Sequence, residues 1–89
     1  MSGRKIAVDN DPTTGHNGCG PTRVIASSNI TLDGIRIVVE GDSIIPHCSH
    51  TGTMVGTSNI TINGKRIILD GDHTTCNDTI IASGVASVM

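Results

Sequence analysis

Phenylalanine, tyrosine and tryptophan are all absent from this chain of 89 residues. Aromatic side chains are the largest single contributors to most cores, so any interior here is built from Ile, Val and Ala, with little Leu. A chain of this length forms one domain at most and buries a limited fraction of its surface. Without aromatics it calls for a staple such as a disulfide, a metal or association with other chains. Charge of one sign is nowhere concentrated, and the net charge is −2. That excludes the basic stripe and aromatic platforms of a nucleic-acid binder. No apolar run approaches membrane-spanning length. The apolar stretch after Met1–Lys5 is too short for a signal peptide, so export by that route is not expected. An even set of cysteines is missing too: Cys19, Cys48 and Cys76 cannot all pair within one chain. One disulfide with a free thiol and a metal site both remain open.

What is present is β-branched residues, eleven glycines and a repeat. Val and Ile suit the pleated surface of strands. Val24–Asp42 reads VIASSNITLDGIRIVVEGD and Met54–Asp72 reads MVGTSNITINGKRIILDGD, at a constant offset of 30 with no gap. In each, polar and apolar residues alternate up to Asp33-Gly34 or Asn63-Gly64, and Ile35–Val39 and its counterpart form a return strand. Asp-Gly and Asn-Gly are the strongest short hairpin signals, because a type I′ turn needs positive φ at both central residues. A third unit is split between the ends, residues 80–89 supplying its first strand and residues 1–11 its return strand. The expectation is a single domain, residues 1–89, of three hairpin units around a pseudo-threefold axis, with the two ends paired as adjacent strands. Such closure also protects edges that would otherwise invite association.

Each return strand ends in an aspartate, Asp11, Asp42 or Asp72, followed by a loop. All four histidines and all three cysteines lie in these loops. His16 and His47 each follow their aspartate by five residues, Cys19 and His50 by eight, and Cys76 follows Asp72 by four. A pseudo-threefold fold brings the three loops to one end, where a mixed site of three His and one Cys would tie them together. Imidazole and thiolate suit Zn²⁺ in a closed structural site, and iron is compatible with the same ligand types. Cys19 and Cys48 also fit as further ligands, as small buried apolar residues or as a disulfide. His73 has no equivalent in the other loops and reads as solvated.

Other candidates carry less. The Gly15–Gly20 stretch is glycine-rich, but no helix pattern follows it, so it reads as a turn and not a phosphate cradle. Asp42, Asp72 and Glu40 sit at strand ends and read as loop caps or as partners of Arg36 and Arg66. No nucleophile–base constellation stands out, so an enzyme is not expected.

Repeats of the form N-I-T-I-N-G-K followed by G-D, with His and Cys in the loops beyond, resemble PAAR-repeat proteins. Asn59–Asp72 and the Gly15-His16 loop carry the resemblance most clearly. It implies an all-β fold, a small cone of three pseudo-threefold β-hairpin repeats with a metal near the apex. It also implies that the broad base docks on the blunt end of a trimeric β-helical spike, one copy per trimer. Carried over by position, the family's metal ligands fall on His16, His47, His50 and Cys76, where the family often has Cys at the place of His47. The Pro-Ala-Ala-Arg segment departs: it is Arg66-Ile67-Ile68-Leu69 in one unit and Arg36-Ile37-Val38-Val39 in the other, so the name-giving arginine is Leu69 or Val39.

With no added effector domain expected at either end, the resemblance points first to a tip like that of T4-like phages. It would lie on the central spike of the tail baseplate in the virion. The implied mechanism is mechanical: a contracting sheath drives a rigid point through the host envelope, and three like hairpin faces meet three like subunits. Ile30, Leu32, Ile60 and Ile62 are candidates for docking, or equally for core, since alternation does not say which face is covered. The rivals are the tip of a bacterial type VI secretion spike on a VgrG-like partner, made in the cytoplasm and then injected, and a metal-binding adaptor that carries cargo. A small enzyme using an open metal position is a third.

Overall fold

The computed structural model describes residues 4–15, 19–46, 51–82 and 87–88. No helix occurs among them, and the fold is all-β. Three short antiparallel hairpins form. Strand β1 (Arg4–Lys5) pairs with β6 (Ser87–Val88), β2 (Thr31–Leu32) with β3 (Ile35–Arg36), and β4 (Thr61–Ile62) with β5 (Lys65–Arg66). The two contiguous hairpins share one register, Thr31 opposite Arg36 and Thr61 opposite Arg66. Their turns are of the type the sequence implies: Asp33 and Gly34 have φ of 53° and 82°, Asn63 and Gly64 of 54° and 82°. The ends of the chain meet in the same way, Arg4 opposite Val88 and Lys5 opposite Ser87.

The return strands are shorter as hairpin partners than the sequence pattern implies. Only two residues of each pair within the hairpin. The next three leave it and join the neighbouring units through bridges Ile6–Leu69, Val8–Ile37 and Val39–Ile67. The reason lies in the backbone bonds. The Ala7 amide donates to the Ile68 carbonyl (2.8 Å), the Ile68 amide to Val38 (3.1 Å), and the Val38 amide back to Ala7 (3.0 Å). This is a closed ring of three hydrogen bonds, and all three residues are fully buried. A second ring runs through the Asp9, Glu40 and Asp70 amides, which donate to Arg36, Arg66 and Lys5 at 2.8–2.9 Å. Beyond Ile37 and Ile67, whose amides still donate to Ile30 and Ile60 of their own hairpins, each strand satisfies its buried polar groups against the next unit.

Beyond these rings each strand turns at Asn10, Gly41 or Gly71, all in the left-handed region. Asp11, Asp42 and Asp72 fix the turns. Each accepts at Oδ2 the amide three residues earlier, from Val8, Val39 and Leu69, at 2.8–2.9 Å. These aspartates are loop caps, as their position implies; they do not pair with Arg36 or Arg66. The following segments cross between units, with Ile25, Val55 and Ile81 donating to Ser43, His73 and Pro12.

The interior is stacked in sets of three. Ala7, Val38 and Ile68 meet at one level and Val24, Met54 and Ile80 at the next, all in one buried cluster with Ile44, Ala26 and Ala82. A small, a medium and a large residue share the first level, and protein interiors of this kind pack closely. A ring of three aromatics would not fit where the backbone rings hold the strands together. A second cluster, Ile37, Ile67 and Leu69 with Ile6, Leu32 and Ile62 against it, lies on the hairpin side.

Candidate functional site

The three loops that carry histidine and cysteine start from equivalent anchor points. The Thr13, Ile44 and Thr74 amides close them, donating to Thr22 (2.9 Å), Gly52 (3.1 Å) and Asp78 (2.8 Å). Neighbouring loops are joined in turn, with Thr14, Ile45 and Thr75 donating to Thr79, Arg23 and Thr53 at 2.8–2.9 Å. All three loops therefore emerge side by side, on the far side of the core from the hairpins.

Of the four sequence-assigned metal ligands, Cys76 is described; His16, His47 and His50, like Cys48, lie outside the described residues. Cys76 is half-buried and packs against the edge of the main core. Its turn is organised by Thr74, whose Oγ1 accepts from the amides of Cys76 (3.3 Å) and Asp78 (3.0 Å). The same hydroxyl lies 3.2 Å from Cys76 Sγ, and Sγ faces Asp78 Oδ2 at 3.8 Å. Asp78 is fully buried, and sequence reasoning missed it because neither other loop has an acid there: the equivalent residues are Thr22 and Gly52.

Gly52 was also missed. A Cβ built on it would lie 3.0 Å from Cys76 Sγ and 3.1 Å from Thr75 Oγ1. The second loop thus runs directly past the Cys76 sulfur two residues after His50. Gly15 does similar work in the first loop. It has φ of +79°, and a Cβ there would overlap the Cys19 carbonyl and the Gly20 backbone. Residues 15 and 19 are therefore drawn together, with His16 in the short segment between them. Within the described residues the frame fits a soft metal ion: Cys76 is a half-buried thiol with a space beside it that a side chain would fill. Among the described residues no three His, Cys, Asp or Glu side chains converge.

His73 stands apart. It is exposed, and its Nδ1 lies 3.0 Å from Thr79 Oγ1. Cys19 is half-buried at the end of its loop. The four apolar docking candidates divide. Ile30 and Ile60 are exposed, at 42% and 45%, while Leu32 and Ile62 are half-buried against the hairpin-side cluster. Val39 and Leu69, at the position of the motif's arginine, are buried at 3% and 6%.

A family model for the PAAR motif matches residues 14–82, most of the chain. The chain belongs to the PAAR-motif family. No curated protein matches it significantly. As a PAAR protein it is a spike-tip component of the puncturing devices that phage tails and type VI secretion systems share, where such proteins sit on spike proteins. The matched segment includes both contiguous hairpins, the second and third loops, and the first loop from Thr14 onward.

Proposed function

We propose that the protein is the metal-stabilised tip of a contractile phage tail, capping the trimeric β-helical central spike of the baseplate and helping it puncture the host envelope. It acts mechanically and not as an enzyme. The observation that carries this reading is the division of the molecule into two ends. One end gathers three loops rich in His and Cys. The other presents three equivalent hairpins, suited to three equivalent subunits.

His16, His47, His50 and Cys76 would hold one structural ion, zinc by ligand chemistry. A bound zinc supplies a fixed cross-link among loops that otherwise depend on a few backbone bonds. The protein's own part is to present the sulfur. Thr74 holds the Cys76 turn, and Gly52 leaves the space beside it. At the hairpin end Ile30 and Ile60 offer exposed apolar surface to a spike.

Elemental analysis of the purified protein tests the metal. About one tightly bound zinc or iron per chain is expected, lost together with thermal stability in His50→Ala, because metal binding and folding are coupled. A metal-free wild type of equal stability would refute the role of the loops. Co-purification with a trimeric phage spike, against a type VI spike trimer as the competing partner, tests the machine.

A further inference from the structure

Five of the six Lys and Arg residues lie on the three return strands: Arg4, Lys5, Arg36, Lys65 and Arg66. Three of these occupy one structural position. The carbonyls of Lys5, Arg36 and Arg66 accept the three equivalent bonds of the second backbone ring, from Asp70, Asp9 and Glu40. Each unit therefore sets one cation at the same place around the pseudo-threefold axis, on the hairpin side of the molecule. All three residues are exposed.

None of the three is neutralised within the described protein, where the one ion pair joins Arg4 to Asp72. Two of the three acids next to them in the ring, Asp9 and Asp70, are engaged elsewhere. Asp9 Oδ1 accepts the Ala26 amide at 2.8 Å, and Asp70 Oδ1 accepts the Ala82 amide at 2.9 Å. A would-be Cβ on Gly56 lies 2.8 Å from Arg66 Cβ, so the Arg66 stem lies along the backbone there. That arrangement keeps the aliphatic stem packed and the charged head in water. The position just before each cation shows no such constancy: it holds Arg4, Ile35 and Lys65. Charge on strand edges deters edge-to-edge association, but that need sets neither one residue per unit nor the engagement of Asp9 and Asp70 elsewhere.

We propose that Lys5, Arg36 and Arg66 form a docking ring that pairs with three carboxylates, one from each subunit, at the end of a threefold-symmetric protein partner. This deepens the spike-capping reading and rests on it. Exposed charges of this kind act on encounter and register, and salt screens them within about 10 Å at 0.1 M. A wrong rotation of the tip on the trimer costs nothing electrostatically, because all three settings are equivalent. A shifted or tilted one does cost.

The test measures binding of the full-length protein to the purified trimeric spike of its own virion or secretion system, across a salt series. The triple variant Lys5→Gln/Arg36→Gln/Arg66→Gln should bind about tenfold more weakly at low salt, from three exposed pairs, and should lose most of the salt dependence. Arg36→Lys/Arg66→Lys should retain both. Thermal melts of each variant identify any that fails to fold, and Lys5→Gln alone, at the chain's end, gives a milder second reading. If wild type and the triple variant bind equally and without regard to salt, the ring is refuted while spike capping stands. If wild type does not bind the trimer at all, spike capping falls and the ring with it.

Discussion

Removing the Arg4 side chain should destabilise the protein by an amount that the structure itself bounds. The Arg4 guanidinium donates from Nε (2.9 Å) and Nη2 (2.7 Å) to the Asp70 carbonyl, and from Nη2 to Asp72 Oδ1 at 2.7 Å. Nη1 reaches Thr57 Oγ1 at 3.3 Å. The arginine side chain is 45% exposed and the Asp72 side chain 1%. Breaking a fully buried pair costs about 3–5 kcal/mol, and an exposed one contributes about 0–1 kcal/mol. A pair buried on one side falls between. The pseudo-threefold counterpart narrows the range. Asp42 is 3% exposed, accepts from Val39 and from the Ser27 amide and hydroxyl, and among the described residues has no cation within ion-pair distance. Asp72 without Arg4 would resemble it, still holding Leu69 and the Thr57 hydroxyl. Arg4→Met should therefore cost about 1–2 kcal/mol.

Urea unfolding at low and high salt measures this, with Asp72→Asn and the double variant completing a cycle. A coupling of about 1 kcal/mol that shrinks with salt is expected. The converse change is as informative. Lys65 holds the position equivalent to Arg4, along a crevice shared with Ser27, Ser28, Asn63 and Val39, and Ser27 in turn holds Asp42. Lys65→Arg should add a second clasp and raise stability by up to about 1 kcal/mol, since Arg carries the planar donor fork. No loss in Arg4→Met, together with no coupling to Asp72, would refute the view that the Arg4 clasp on Asp72 supports the fold.

Two further predictions concern glycines. Gly34 and Gly64 share φ of 82° with no atom within 4 Å of a would-be Cβ, so Gly34→Ala and Gly64→Ala should each cost about 1–2 kcal/mol, purely from backbone strain. Calorimetry should find the two losses nearly equal, and a large difference would break the equivalence of the hairpins. Gly52→Ala would push Cys76 by a few tenths of an ångström. Metal content under competing chelator should drop while the melting temperature of chelator-stripped protein changes little.

The hairpin turns were legible in the sequence because Asp33-Gly34 and Asn63-Gly64 specify local geometry that needs no partner. The departure of Val38–Val39 and Ile68–Leu69 from their hairpins was not. Alternation reports which side chains are buried, not which strand receives the hydrogen bonds. The part of Cys76 in holding a metal belongs to the proposed function, but its loop position was legible from its spacing after Asp72. Gly52 and Asp78 were not, since their positions have meaning only against the sulfur they flank. The Arg4–Asp72 pair spans 68 positions and fits no local spacing rule. The histidine assignments lie outside the described residues.

The pairing of Arg4 with Val88 bears on how the molecule is made. Contacts so distant in sequence must overcome loop-closure entropy before they return any stability, and folding slows accordingly. During synthesis Arg4–Lys5 has no strand partner until Ser87–Val88 leaves the ribosome. The central ring waits on less, because Ile68 is its final member. A nascent chain can therefore assemble that ring early, with Arg4–Lys5 left unpaired until Ser87–Val88 has been made. Closing the domain is then a late zipping step, in which one short strand covers another made more than eighty residues before it.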